Sequence, residues 1–146
     1  MSRKFGLIDL FAGPGGLGEG FAAAGCEGKG EIDIRLSIER QAVEVRTLRL
    51  RAFLRQFDDG PPKAYHDALN AGRPMPDWSE LHPTAWQAAE SEAPQLELGA
   101  AGSFDLISGT LDRTREEFHG DTILIGGPPC QAYSLAGRSR NRGKRD

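Results

Sequence analysis

The sequence predicts an α/β fold built on a parallel sheet, and three observations carry the prediction. Short apolar runs at 5–10, 33–40 and 122–125 read as strands. Helical patterns alternate with them, the arrangement that parallel sheets require. Two of the strands run straight into glycine-rich turns, Phe11-Ala12-Gly13-Pro14-Gly15-Gly16 and Gly126-Gly127-Pro128-Pro129-Cys130. Ligands in such sheets sit beyond the carboxyl ends of the strands, so the two turns are expected to meet at one crevice.

Each element has its own local signal. Residues 17–24 read as a helix, with Leu17 and Phe21 on one face and Gly25 as a left-handed stop. In the second strand Ile34, Leu36 and Ile38 alternate. Residues 41–57 read as an amphipathic helix with Leu50, Phe53, Leu54 and Phe57 on one face and Arg55 largely off it, while Arg46, Arg49 and Arg51 turn to solvent. Between 58 and 102, Pro61, Pro62, Pro74, Pro76, Pro83 and Pro94 predict an irregular insertion broken into short pieces. Within it Thr84 and Gln87 form a capping-box pattern for a short helix that Pro94 stops. Trp78 and Trp86 read as packing anchors. Ser103 is a candidate cap for a further helix with Phe104, Ile107 and Leu111 inward, and Gly109 is its weak point.

Composition bounds the partners. The 146 residues make one ordinary domain or part of a larger one. A net charge of −3 does not by itself announce a nucleic-acid partner. The basic residues Arg138, Arg140, Arg142, Lys144 and Arg145 cluster, however, and read either as phosphate contacts or as a solvated tail. Cys26 and Cys130 give neither a disulfide framework nor metal-ligand spacing and suit a reducing, cytoplasmic compartment. Cys26 reads as a packing residue. His66, His82 and His119 show no ligand spacing, so no metal site is expected. No apolar run reaches the roughly 20 residues of a membrane span. The first residues lead directly into a strand, which argues against a signal peptide.

The chemistry concentrates in the two turns. Gly13, Gly15 and Gly16 let the backbone turn sharply beside a ligand and feed a helix N-terminus. Glu39, closing the second strand, is placed to accept hydrogen bonds from ribose hydroxyls. Alone, this pattern serves NAD-binding and S-adenosylmethionine (SAM)-binding domains alike. Its glycine order differs from the dinucleotide fingerprint G-x-G-x-x-G, which favours SAM. In the second turn, prolines brace Cys130 beyond a strand end. A cysteine at a crevice mouth near cationic groups is a candidate thiolate nucleophile; the competing reading is a small buried apolar residue.

Together the segments resemble the C5-cytosine DNA methyltransferase family. DLFAGPGGLGEGF (9–21) is similar to its SAM loop, SIER (37–40) to its second motif, and GGPPCQAYS with LAGRSRN (126–141) to its catalytic loop. The resemblance implies a SAM-dependent methyltransferase Rossmann-like parallel sheet, incomplete, with only the first strands present. It implies that Phe11, Ala12, Gly13, Gly15, Gly16 and Leu17 shape the cofactor pocket. Glu39, Arg40 and Pro128 complete it, Phe11 packing on the adenine side and Glu39 binding the ribose. Cys130 would attack C6 of cytosine, held near the flipped base by Pro129, and Gln131, Ser134, Arg138 and Arg140 would lie on the loop that closes over double-stranded DNA.

The sequence departs from the family pattern in three places. An aspartate near the adenine is not placed; Asp105 and Asp121 are the candidates. The stretch 58–102 replaces a short connection. The Glu-Asn-Val and Arg-x-Arg elements and the target-recognition region are absent. The expectation is therefore an N-terminal part of a catalytic domain, 1–146, inactive alone. Either a complementary C-terminal methyltransferase chain completes it, or it is a gene fragment that folds poorly, with the strand at 122–125 left as an exposed edge. Such an enzyme would be cytoplasmic, nucleoid-associated and of restriction-modification type. Two alternatives stay open: a non-catalytic SAM- or DNA-binding remnant, and an NAD-dependent oxidoreductase domain.

Overall fold

The structure, a computed structural model, describes residues 3–25 and 30–128. It is a three-stranded parallel sheet with helices on both faces, a partial Rossmann-like α/β fold. The elements run β1 (Lys4–Leu10), α1 (Gly16–Gly25), β2 (Glu31–Ile38), α2 (Ala42–Leu54), α3 (Lys63–Asn70), α4 (Trp78–Leu81), α5 (Pro83–Glu92), α6 (Ser103–Glu117) and β3 (Thr122–Gly126). The strand order is β2-β1-β3. Among the described residues no helix is long and apolar enough to cross a membrane.

β1 is central, paired in parallel on both sides. Burial on both faces explains its near-continuous apolar run: Leu7 and Ile8 are fully buried and Asp9 nearly so. Alternation decides which residue meets which helix. Gly6 faces Thr114 and Phe118 at the α6 end, and Ile8 packs with Leu36, Ile38, Ile107 and Leu111. Asp9 faces Gly18 of α1. β2 does not keep one face throughout. A register shift opposite Leu7/Ile8 sends Ile34 toward Gly18, while Leu36 and Ile38 join the α6 cluster. All three are buried, as their spacing predicts, but on two sides of the sheet.

A second core forms beside the sheet. Phe53 of α2 is fully buried and contacts Phe57, Trp78 and Trp86 with ring centroids 4.8–5.8 Å apart. The stretch 58–102 therefore holds three helices that close over α2, with Trp78 and Trp86 as packing anchors. Asp77 caps α4 by accepting from the Ser79 amide at 2.9 Å.

Several local expectations are corrected. Gly25 does not adopt a left-handed conformation; a Cβ there would lie 2.8 Å from the Gly30 carbonyl oxygen, so close chain approach is what calls for glycine. α5 starts at Pro83 with His82 as its cap residue, so Thr84 lies inside the helix, and proline at the first position sets the start. Gly102, left-handed at φ 78°, caps α6 in place of Ser103, whose hydroxyl instead accepts from the Gly99 amide. Phe104 is 78% exposed; Ile107 and Leu111 pack inward as expected, joined by buried Thr114 and Phe118. Leu17 is exposed rather than packed. Arg46 is exposed, but Arg49 and Arg51 are half-buried.

β3 pairs only with β1 among the described residues, and Leu124 is 57% exposed on this edge strand. The opposite face of the β1 interior leaves no such room. A Cβ at Gly6 would lie 2.2 Å from Thr114 Cγ2 and 2.9 Å from the Phe118 ring. The Thr114 hydroxyl donates to the Thr110 carbonyl at 2.7 Å, which holds its rotamer. Gly6→Ala is expected to lower stability by about 1–3 kcal/mol in urea unfolding, the cost of overpacking a fixed core.

Candidate functional site

The chain leaves β1 toward β2 through α1, and returns across the sheet to place β3 on the other side of β1. Strand order thus reverses next to β1, where open α/β sheets bind ligands. The turns after β1 and β3 open at this point, because Leu10 pairs with Gly126 at the ends of their strands. A cleft of about 420 Å³ lies there, lined by Phe11, Ile38, Glu39, Arg40, Gln41, Leu96, Glu97, Leu98 and Gly127. That volume suits a small ligand or cofactor.

Backbone geometry shapes the first turn. Phe11 has φ 58°, a left-handed conformation uncommon for a residue with a side chain, and the residue is 40% exposed and lines the cleft. Gly13 and Gly15 are also left-handed, at φ 56° and 88°. Glu39 fastens this turn to the second strand. Its carboxylate accepts from the Gly13 amide at 3.1 Å and from the Arg40 and Gln41 amides at 2.8 Å each. Three of its roughly four acceptor positions are thereby used. One acceptor position, on Oε2, is left free of these three bonds.

The far wall comes from a segment that carried no legible signal. Gln95 forms a parallel bridge with Glu39, the Leu96 amide donates to the Glu39 carbonyl at 2.9 Å, and the Gln95 side chain donates to the Arg40 carbonyl at 3.0 Å. Leu96 and Leu98 give this wall an apolar surface, and Glu97 gives it a carboxylate, 3.1 Å from Arg40. Neither candidate for the missing acid lines the cleft. Asp105 lies exposed in the first turn of α6. Asp121, before β3, is bound by Arg3 at 2.6 Å, which holds its carboxyl below the ordinary range. Glu97 is the acid the cleft holds besides Glu39, and no local pattern singled it out.

The remaining sequence-predicted residues fall into three groups. Phe11, Glu39 and Arg40 line the cleft, and Gly13 reaches it through its amide. Ala12 and Gly15 pack beneath it against Leu48; Gly16 opens α1; exposed Leu17 and Pro128 do not line it. Pro129, Cys130, Gln131, Ser134, Arg138 and Arg140 lie outside the described residues, as does Cys26.

One further acid marks the site. Asp9 is 1% exposed, and neither carboxyl oxygen has a hydrogen-bond partner among the described residues. Burial pushes its pKa up, against a smaller downward pull from the Gly18 amide. A Cβ at Gly18 would lie 3.3 Å from Oδ2, so the carboxyl sits directly against the first turn of α1. Among the described residues no group of three or more His, Cys, Asp or Glu side chains could hold a metal ion.

Removing the Glu39 carboxylate would free both ends of the strap. Glu39→Ala is expected to cost about 2 kcal/mol in urea unfolding, since several bonds to a charged acceptor are lost. Hydrogen exchange at the Gly13, Arg40 and Gln41 amides should quicken with it.

The chain is 30% identical, over an alignment of 154 residues covering 92% of it, to the Type II methyltransferase M.Bpa9945I of Bacillus paralicheniformis. It spans 32% of that protein's length, about a third. No family model and no solved structure matches the chain. The similarity supports a methyltransferase relationship, and makes SAM the cofactor against which the cleft is to be judged.

Proposed function

We propose that this chain forms the SAM-binding, nucleophile-bearing part of a C5-cytosine DNA methyltransferase. The observation that carries the reading is the parallel pairing of β1 with β3, which opens the Phe11–Gly16 turn and the Gly126-Gly127 turn at one end of the sheet. The sequence continues from that second turn into Pro129 and Cys130.

The residues of the cleft fit SAM. Phe11 offers a ring face to the adenine, and Leu96 and Leu98 an apolar wall. Glu39 keeps one acceptor for a ribose hydroxyl. Glu97 is placed to accept from an exocyclic amine, the role for which the sequence offered Asp105 or Asp121. The glycine order of the first turn, which is not G-x-G-x-x-G, weighs against a dinucleotide, whose diphosphate would seat at the α1 N-terminus. A sulfonium cofactor brings no phosphate there. Bound SAM would supply an electrophilic methyl group.

Cys130 would do the covalent work. Its thiolate would add to C6 of a flipped cytosine, and the ring electrons displaced to C5 would take the methyl group, the pair of the broken carbon–sulfur bond staying on the donor's sulfur as a thioether. Loss of the C5 proton then expels the thiolate and restores the ring. Arg138 and Arg140 would contact phosphates of double-stranded DNA, with binding that weakens as salt rises. The unpaired outer side of β3 would be covered by further methyltransferase sequence, either of the same polypeptide or of a complementary chain. An enzyme of this kind would act at the nucleoid, in a restriction-modification setting.

Titration calorimetry with SAM and with NAD tests the cofactor; SAM alone is expected to bind. A duplex carrying 5-fluorocytosine tests the nucleophile. In the presence of the completing sequence and SAM, a covalent adduct is expected at Cys130, and Cys130→Ser should abolish it while leaving SAM affinity within about twofold, since a thiol outside the cofactor contacts adds no uniform binding. SAM binding without any adduct would favour a non-catalytic binding remnant.

A further inference from the structure

Behind the cleft, a cluster of charges joins the elements that carry its walls. Arg55, the cap residue at the end of α2, donates to Glu19 of α1 and to Glu92 of α5. The Arg55 and Glu92 side chains are only 27% and 12% exposed. Glu19 lies in the first turn of the helix that the glycine turn launches. Glu92 closes α5, just before the 95–98 wall. Two turns earlier on α2, Arg49 donates to the Ala93 carbonyl at 3.0 Å and pairs with Glu90 at 3.7 Å. α2 therefore grips the end of α5 at two points and α1 at one.

We propose that Arg55 is a positioning residue that ties the glycine turn to the far wall of the cleft, and that neutralising Glu92 loosens the tie and weakens cofactor binding. The proposal rests on the SAM reading for its ligand. Glu92 is faced by Arg55 from α2 and by Asp33 and Arg35 from β2. A polar cleft of about 540 Å³ beside it brings Arg113 and Glu117 of α6 to the same space. Glu19 of α1 shares the guanidinium, and Glu90 on its own helix is turned to Arg49. Burial pushes the Glu92 carboxyl up to about 7; Arg55 pulls it down, Asp33 adds to the rise, and Arg35 opposes it.

Two opposite pH dependences follow. With its pKa raised on folding, Glu92 contributes stability that is complete below its ordinary value of 4.5 and lost as pH rises through about 7. The tie to Arg55 runs the other way, since a charge-assisted bond is strongest when the carboxyl is ionised. Raising the pH from about 6 to about 8 should thus lower the Glu92-dependent stability while tightening the cleft. A purely structural ion pair would move both in the same direction.

SAM calorimetry and thermal melting of the full chain at these two pH values test this. Wild type should bind SAM about fivefold more tightly at the higher pH, with a lower melting temperature there relative to Glu92→Gln. Glu92→Gln should bind equally at both pH values, near the weaker wild-type affinity. Arg55→Lys, which cannot reach both carboxylates at once, should bind weakly at both while keeping its helical circular dichroism. An affinity independent of pH in wild type, or the same dependence in Glu92→Gln, would overturn the proposal. Failure of SAM to bind at either pH would instead sink the cofactor reading. Exchange protection of the Gly13 and Leu96 amides would still report the tie: greater protection at the higher pH supports it, and equal protection refutes it.

Discussion

Everything at the cleft depends on the parallel pairing of β1 with a neighbour on each side. A central strand cannot leave any backbone group unsatisfied, so its two ladders fix where the turns after β1 and β3 emerge. The reversal of strand order then opens the sheet at that end, where turns from adjacent strands diverge. β1 is also the most completely buried strand, and its central position lets Gly6 accept the close approach of α6 while Asp9 lies against α1.

Electrostatics refine what the ladders position. Glu39 uses its carboxylate chiefly on the protein, fastening Gly13 to the start of α2. That preorganises the turn and leaves limited capacity for a ligand. The same economy operates one layer back, where Arg55 and Arg49 of α2 take hold of α1 and α5. The helices that look like a proline-rich insertion in the sequence thus brace a wall of the cleft. Phe53, Trp78 and Trp86 supply the apolar burial that makes this bracing stiff.

The similarity to a methyltransferase and the geometry of the cleft are independent observations. One rests on residue identity along most of the chain. The other rests on where a sheet of this order opens and which side chains face the opening.

The strands, the helices at 16–25 and 42–54 and the two glycine turns were legible because their signals are local: apolar period, glycine and proline placement, and a terminal acid. Glu39 could be singled out for the same reason, whereas Phe11 and Arg40 came only from the family resemblance. The 95–98 wall could not, since it forms only when Gln95 meets Glu39 across a long loop, and no periodicity marks a single bridge. Arg49 and Arg55 looked like surface charges by composition; they became half-buried because α5 folded onto α2 and brought carboxylates and a carbonyl within reach. Local pattern determined which elements form and which turns carry chemistry. Long-range pairing and helix packing decided which charges were taken out of water, and therefore which side chains build the cleft.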